Sequence, residues 1–284
     1  MISEMKLFGE RRASNDTTHR CRLDILLYEC GFGSETGWKH LHPDSSDPPP
    51  FEYVKEMVDG RIQEICSKVK DFFGSCEKPI LYLTGKGNFR EAIAKKKPYK
   101  GNRLQPKPFH YANIKGYLKV AYDAIEVEGM EADDAMCIDQ TEDTIICTRD
   151  KDLRQCPGWH FGWELGKQAQ FGPELVGHVG YIKLSPDKKK LTGTGYKFFC
   201  SQMITGDKVD NISGLPGNGP VEAYKLLSEL QVCADMEKAV IEAYKGFYGD
   251  SWKEEFMEQA QLLWMVRELD FAGEPIMYKM LNEE

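Results

Sequence analysis

The chain has 284 residues, 41% of them hydrophobic and 29% charged, which suits a soluble globular protein of one large or two modest domains. No apolar run approaches the ~18 residues of a membrane span, and the first twenty residues lack the apolar core of a signal peptide. A formal net charge of −8 argues, taken alone, against a nucleic-acid binder. Nine cysteines without a C-x-x-C pair favour reduced thiols over a disulfide framework or a zinc site.

Residues 1–20 are polar and aperiodic and read as a tail. Leu23 to Tyr28 is a short apolar run, a candidate first buried strand. Pro43 to Pro50 is a loop, and Glu52 to Phe73 has helical spacing with Val54, Met57, Val58, Ile62, Ile65 and Val69 on one stripe. Ile80 to Leu83 reads as a second strand ending in the turn Thr84-Gly85-Lys86-Gly87. A basic stretch follows, a helix at best broken by Pro98. Tyr111 to Tyr122 is predicted helical, Ala124 to Val127 a short strand, and Thr144 to Thr148 a third, β-branched strand. This alternation predicts a mostly parallel α/β sheet. Beyond Gly158 the texture changes. His178 to Phe199 looks like a hairpin with its turn at Ser185 to Lys188. From Ser201 the chain is mainly helical, interrupted by glycines at 214–219, with a helix predicted from Val221 to Leu230 and a last one from Trp252 to Leu269.

Three acidic clusters stand out: Glu131, Asp133 and Asp134 in G-M-E-A-D-D; Asp150 and Asp152 in T-R-D-K-D; Asp207 and Asp210 in G-D-K-V-D-N. Glu131 and Asp134, like Asp207 and Asp210, have the i, i+3 spacing of one helix face. Asp150 and Asp152 follow a predicted strand, and open α/β sheets bind ligands beyond the carboxyl ends of their strands. Any one cluster is also what an acidic first turn or a solvated loop provides. Together in one crevice they would repel strongly, by roughly 4 kcal/mol per pair about 4 Å apart, unless cations intervene. Oxygen-only ligands suit Mg²⁺ or Mn²⁺. Two such ions can activate a water and stabilise the leaving oxygen of a phosphodiester.

Two further stretches suggest a polyanionic substrate. Between Lys86 and Lys107, Lys86, Arg90, Lys95, Lys96, Lys97, Lys100, Arg103 and Lys107 are opposed only by Glu91. They are a candidate phosphate track in which Tyr99 could stack on a base. Residues 212–220, with Gly214, Gly217 and Gly219, precede a helix with Pro220 in its first turn. Such a loop can present amides to a backbone phosphate without reading sequence.

The three acidic motifs, the run I-S-G-L-P-G-N-G-P and the Y-K-x-x-R element at Tyr99, Lys100 and Arg103 resemble, in order and spacing, the flap endonuclease / 5′-nuclease family. The phage 5′-exonuclease branch is the most similar. The resemblance runs from about Leu23 to Leu230. It implies a PIN-like nuclease domain over 21–175 with a basic helical arch at 86–107. It also implies a region over 176–284 with a helix–hairpin–helix-type DNA clamp at the glycine hairpin, 212–220. By match, Glu131, Asp133, Asp134, Asp150, Asp152, Asp207 and Asp210 would hold two Mg²⁺ or Mn²⁺ ions. Lys100 and Arg103 would polarise the scissile phosphate. Lys86, Arg90, Lys95, Lys96, Lys97, Tyr99, Gly214, Gly217 and Gly219 would bind DNA, in the family often with K⁺ at the hairpin. The implied partner is DNA with a 5′ end or flap, met by a monomer in a bacterial or phage-infected cytoplasm.

Two positions depart from the family pattern. Arg22 stands where the first strand carries an aspartate, with Asp24 the nearest acid and a candidate substitute ligand. Thr84-Gly85 stands where the next strand supplies another. The expected activity is metal-dependent 5′-nuclease cleavage at single-strand/double-strand junctions. The alternative is a catalytically impaired DNA-binding protein of the same fold. A PIN-type ribonuclease is disfavoured by the glycine hairpin.

Overall fold

The computed structural model describes residues 20–23 and 26–281; Asp24 and residues 1–19 lie outside the described residues. Six strands form the main sheet: β1 (Arg20–Leu23), β2 (Ile80–Thr84), β3 (Ile125–Val127), β4 (Thr144–Cys147), β5 (Gly158–Gly162) and β6 (Phe171–Val176). Their order is β3-β2-β1-β4-β5-β6. All pairings are parallel except that of β5 with the edge strand β6.

Strand period two buries both faces. Leu81 and Leu83 of β2 and Ile145 and Cys147 of β4 pack with α1 (Leu26–Leu41), α2 (Phe51–Phe73) and α4 (Tyr111–Ala121). Tyr82 and Ile146 face the other way, toward Met136 and Cys137 of α5 (Ala132–Ile138). The stripe expected for the long helix is the buried face of α2, with Val54, Val58, Ile62, Ile65 and Val69 inside.

Past β6, a two-stranded ribbon of β7 (Ile182–Leu184) and β8 (Leu191–Gly193) leads into α6 (Gly195–Thr205). Then come α7 (Pro220–Leu227), α8 (Cys233–Tyr248) and α9 (Trp252–Leu263). These helices share a second apolar cluster built on Phe199, Met203, Leu227, Val240, Tyr244 and Phe256.

Several expectations are corrected. The apolar run Leu23 to Tyr28 is not one strand. β1 ends at Leu23, and Leu26 and Leu27 open α1, where they are buried with Cys30; so short a run fits a buried helix as well as a strand. The hairpin over His178 to Phe199 shrinks to β7–β8, because Tyr196 to Phe199 enter α6 and its core. The last helix stops at Leu263, and the chain turns back so that Met265 joins the α5 cluster. Cys137 and Cys156 are joined by a disulfide between α5 and the loop before β5, against the expectation of reduced thiols. Their 19-residue separation hides a Cα–Cα distance of 6.1 Å that only the fold creates.

A candidate site of paired acids and lysines

Parallel strands end on one side of a sheet, and the acids sit there. Glu131 follows β3 and caps α5, and Asp150 and Asp152 follow β4. Asp207 and Asp210 occupy the turn after α6, closed by reciprocal backbone hydrogen bonds between Asp207 and Ile212. That turn is not helical. The Asp207 carboxylate accepts from the N–H groups of Val209 (2.7 Å) and Asp210 (3.3 Å), while the Asp210 carboxylate accepts from Tyr99 and Arg103.

The acids are brought together in two pairs. In the first, the Tyr99 hydroxyl lies 3.1 Å from Glu131 and 2.9 Å from Asp210. The Lys100 ammonium pairs with Glu131 and lies 3.8 Å from Asp210. Arg103 donates to Asp210 at 2.5 Å, and Asn88 to Glu131 at 2.9 Å. In the second pair, the Lys151 ammonium stands 3.0 Å from Asp152 and 2.5 Å from Asp207. Gln202 of α6 donates to Asp152 at 2.5 Å. Asp150 accepts the Asp152 N–H at 2.9 Å, which holds this loop in shape.

Electrostatics follow from the pairing. Burial pushes the Asp152 carboxyl up, and the Asp207 charge adds to that push against Lys151. Burial also acts on Asp207, but Lys151 and two backbone N–H groups hold it below the usual aspartate range. Lys100 and Lys151 both pay for burial yet are held protonated by the carboxylates they bridge.

Asp134 has a different place. Fully buried, it receives both terminal nitrogens of Arg90, at 2.6 and 2.8 Å, and the N–H groups of Glu131 and Val266. Arg90, itself 0% exposed, also donates to the carbonyls of Leu262 (3.0 Å), in the last turn of α9, and of Trp264 (2.6 Å), just past its end. Asp133 is half-buried in the first turn of α5.

Several predicted DNA contacts are therefore corrected. Arg90 is a buried clamp and cannot touch a phosphate. The Tyr99 ring packs against the helical cluster and its hydroxyl joins two acids, so it is no stacking platform. Gly214 is buried at φ +67° against the backbone of Gly206, whereas Gly217 and Gly219 lie nearer the surface. The 86–107 stretch is not a helical arch. It holds one short helix, α3 (Phe89–Ile93), then an irregular loop laid on the acidic turn. Lys100 N–H donates to the Asp210 carbonyl (3.0 Å), and Asn211 donates to the Pro98 carbonyl (2.9 Å). Lys86, Lys95, Lys96 and Lys97 remain exposed, with Lys96 paired to Glu255.

Sequence reading missed Lys151 and Gln202. Lys151 lay in plain view inside T-R-D-K-D; Gln202 gives no local signal, being one polar residue in a buried helix. At the departures, Arg22 falls in β1 opposite Ile80 and Ile146. The Thr84 hydroxyl accepts the Ala132 N–H at 3.0 Å at the start of α5. An acid beside this gap is Glu128, whose carboxylate lies 2.7 Å from where a Cβ on Gly85 would be. Among the described residues, no three His, Cys, Asp or Glu side chains stand close enough together to hold a metal ion. Tyr99, Lys100 and Lys151 lie between them instead.

No protein-family model matches the chain. The DNA polymerase I of Rhizobium leguminosarum is 36% identical over 145 residues, which cover 46% of this chain. The chain spans only 13% of that relative's length. Among solved structures, a T5 5′-exonuclease with bound zinc shows 14% identity at a TM-score of 0.40, covering 87% of this chain and all of that one. A bacteriophage T5 flap endonuclease complexed with DNA and metal ions shows 14% identity at 0.42, covering 86% of this chain and 99% of that one. Through its acidic and glycine motifs, and its identity with one stretch of a DNA polymerase I, the chain resembles the flap endonuclease / 5′-nuclease family.

Proposed function

We propose that the protein is a metal-dependent 5′-nuclease that hydrolyses DNA phosphodiesters at junctions of single and double strand. The observation that carries this reading is the convergence of carboxylates from three separate segments beyond the strand ends, each pair closed on a lysine. The donor set is all oxygen, as hard divalent ions require. The two ammonium groups already stand where positive charge is needed. Glu131 with Asp210, and Asp152 with Asp207, would hold Mg²⁺ or Mn²⁺, with Asp150 and Asp133 beside them. When bound, such ions supply an activated water and a counter-charge for the leaving oxygen.

The chain's own residues then divide the work. Lys100 and Arg103, 24% and 49% exposed, can turn from their acids to a phosphate oxygen. Asp134 is removed from direct ligation by Arg90 and fixes the start of α5, and so Glu131. Gly217 and Gly219 offer backbone to the duplex before α7, as a helix–hairpin–helix-type clamp would, with K⁺ as its cation. In this reading residues 21–175 form a PIN-like nuclease portion and 176–284 the DNA-binding portion.

The test is cleavage of a labelled 5′-flap duplex with Mg²⁺ or Mn²⁺. The chain should release product, and the Asp150→Asn/Asp152→Asn double variant should lose at least about a hundredfold in rate, the scale on which metal-site charge acts. Duplex binding without metal-dependent product would sink the enzyme. A second reading, an impaired DNA-binding protein, is favoured by Thr84, which puts a hydroxyl beside α5 where an acid is expected. Under it Thr84→Asp, whose carboxylate can still accept the Ala132 N–H, raises cleavage above the native chain. No gain disposes of that explanation.

A further inference from the structure

We propose that Lys151 is an internal counter-ion that a divalent cation must displace from between Asp152 and Asp207, so that this lysine sets the metal concentration at which the site fills. The inference rests on the metal-dependent reading above. Lys151 reaches back to its own neighbour Asp152 and across to Asp207, 56 positions away, and bridges two elements. The other hydrogen bonds to this pair come from neutral donors: Gln202 on Asp152, and the N–H groups of Val209 and Asp210 on Asp207. The ion pairs of both carboxylates run to Lys151.

The contrast with Arg90 shows which cation can leave. Arg90 is 0% exposed and held by a bidentate carboxylate and two carbonyls. The Lys151 side chain is 47% exposed, and among the described residues its ion pairs are with these two carboxylates. An ammonium on a flexible four-carbon stem can swing into water without unmaking any packing, whereas a buried guanidinium fork cannot. Its departure would leave two carboxylates, from different segments, without the counter-charge they share. Charge, donor type and exchangeability therefore meet at this one residue.

Mn²⁺ binding to the full chain, read by electron paramagnetic resonance of free Mn²⁺, tests this. Lys151→Met should bind Mn²⁺ about tenfold tighter or more than the native chain, about 1.4 kcal/mol, while Lys151→Arg should stay within about threefold of native. A Lys151→Met chain that binds Mn²⁺ no tighter overturns the inference and leaves the metal-dependent reading standing. Absence of Mn²⁺ binding by both chains overturns the two together. Should Lys151→Met fail to fold, acetic anhydride labelling of the native chain decides. Lys151 labelling, normalised to the remote Lys39, should rise several-fold on adding Mn²⁺; unchanged labelling overturns the displacement.

Discussion

Arg90 is the residue at which charge counting and structure disagree most, and its replacement separates the two. As a phosphate contact it would matter to DNA binding and little to the fold. In the structure it is a keystone: Arg90→Met strips Asp134 of a bidentate partner at 2.6 and 2.8 Å and leaves only two backbone N–H donors on a fully buried carboxylate. It also orphans the carbonyls of Leu262 and Trp264. Removing one member of a buried pair costs about 3–5 kcal/mol, and each orphaned carbonyl can add about 1–3 kcal/mol before water relaxes in. A loss of at least about 3 kcal/mol is expected, a large share of the roughly 5–15 kcal/mol that holds a domain together. Urea unfolding monitored by circular dichroism measures it, through the midpoint at unchanged slope. Adding Asp134→Leu should restore part of the loss, since the uncompensated charge then disappears. A loss below about 1 kcal/mol, together with weaker duplex binding and a shallower salt dependence, would refute the clamp and reinstate a phosphate contact.

Two further expectations concern stability. His160 is buried in β5, its Nε2–H donating to the Cys156 carbonyl at 2.8 Å while Nδ1 has no partner among the described residues, and burial pulls its pKa down to about 4. A depressed histidine pKa means that the neutral ring is the stable form: its contribution is complete above the unfolded value near 6.5 and is lost as pH falls toward 4, on the order of 3 kcal/mol in all. Urea midpoints for His160→Phe should fall less steeply between pH 7 and 4.5 than the native ones, and an identical slope would refute this. At the glycine hairpin, Gly214→Ala sets a Cβ 2.2 Å from the Gly206 nitrogen at φ +67°, whereas Gly217→Ala at φ +78° meets open space. The second should cost about 1–2 kcal/mol of backbone strain and the first clearly more; equal urea midpoints would show that the interlock of Gly206 and Gly214 is not what the first glycine serves.

Much of the sheet was legible because burial imprints a period. The stripe of α2 and the apolar strands β2 and β4 announced themselves, since each buries a whole face or both faces against helices. β5 and β6 did not. Glycines bound β5, and β6 carries Gly172 and Pro173, residues that sequence reading takes as breakers but that an edge position tolerates. The acids were legible as clusters, because their spacing along the chain is local. The disposition of each acid was not, because partners arrive from afar. Arg90 meets carbonyls more than 170 positions away, and Gln202 meets Asp152 across 50.

That division bears on the basic stretch expected to be a phosphate track. A sequence counts charges but carries no record of which are neutralised within the fold. Of the eight cations, Arg90 is spent on Asp134, while Lys100 and Arg103 rest on Glu131 and Asp210. The deciding quantity is exposure joined to the number of contacts. A fully buried cation with four hydrogen bonds belongs to the fold, whatever motif it sits in. A half-exposed ammonium between two carboxylates is held less firmly, because water reaches its flexible stem and screens the pair. The acids of each pair therefore do not face one another bare: Lys100, from the loop over the acidic turn, and Lys151, from T-R-D-K-D, stand against them and offset their repulsion.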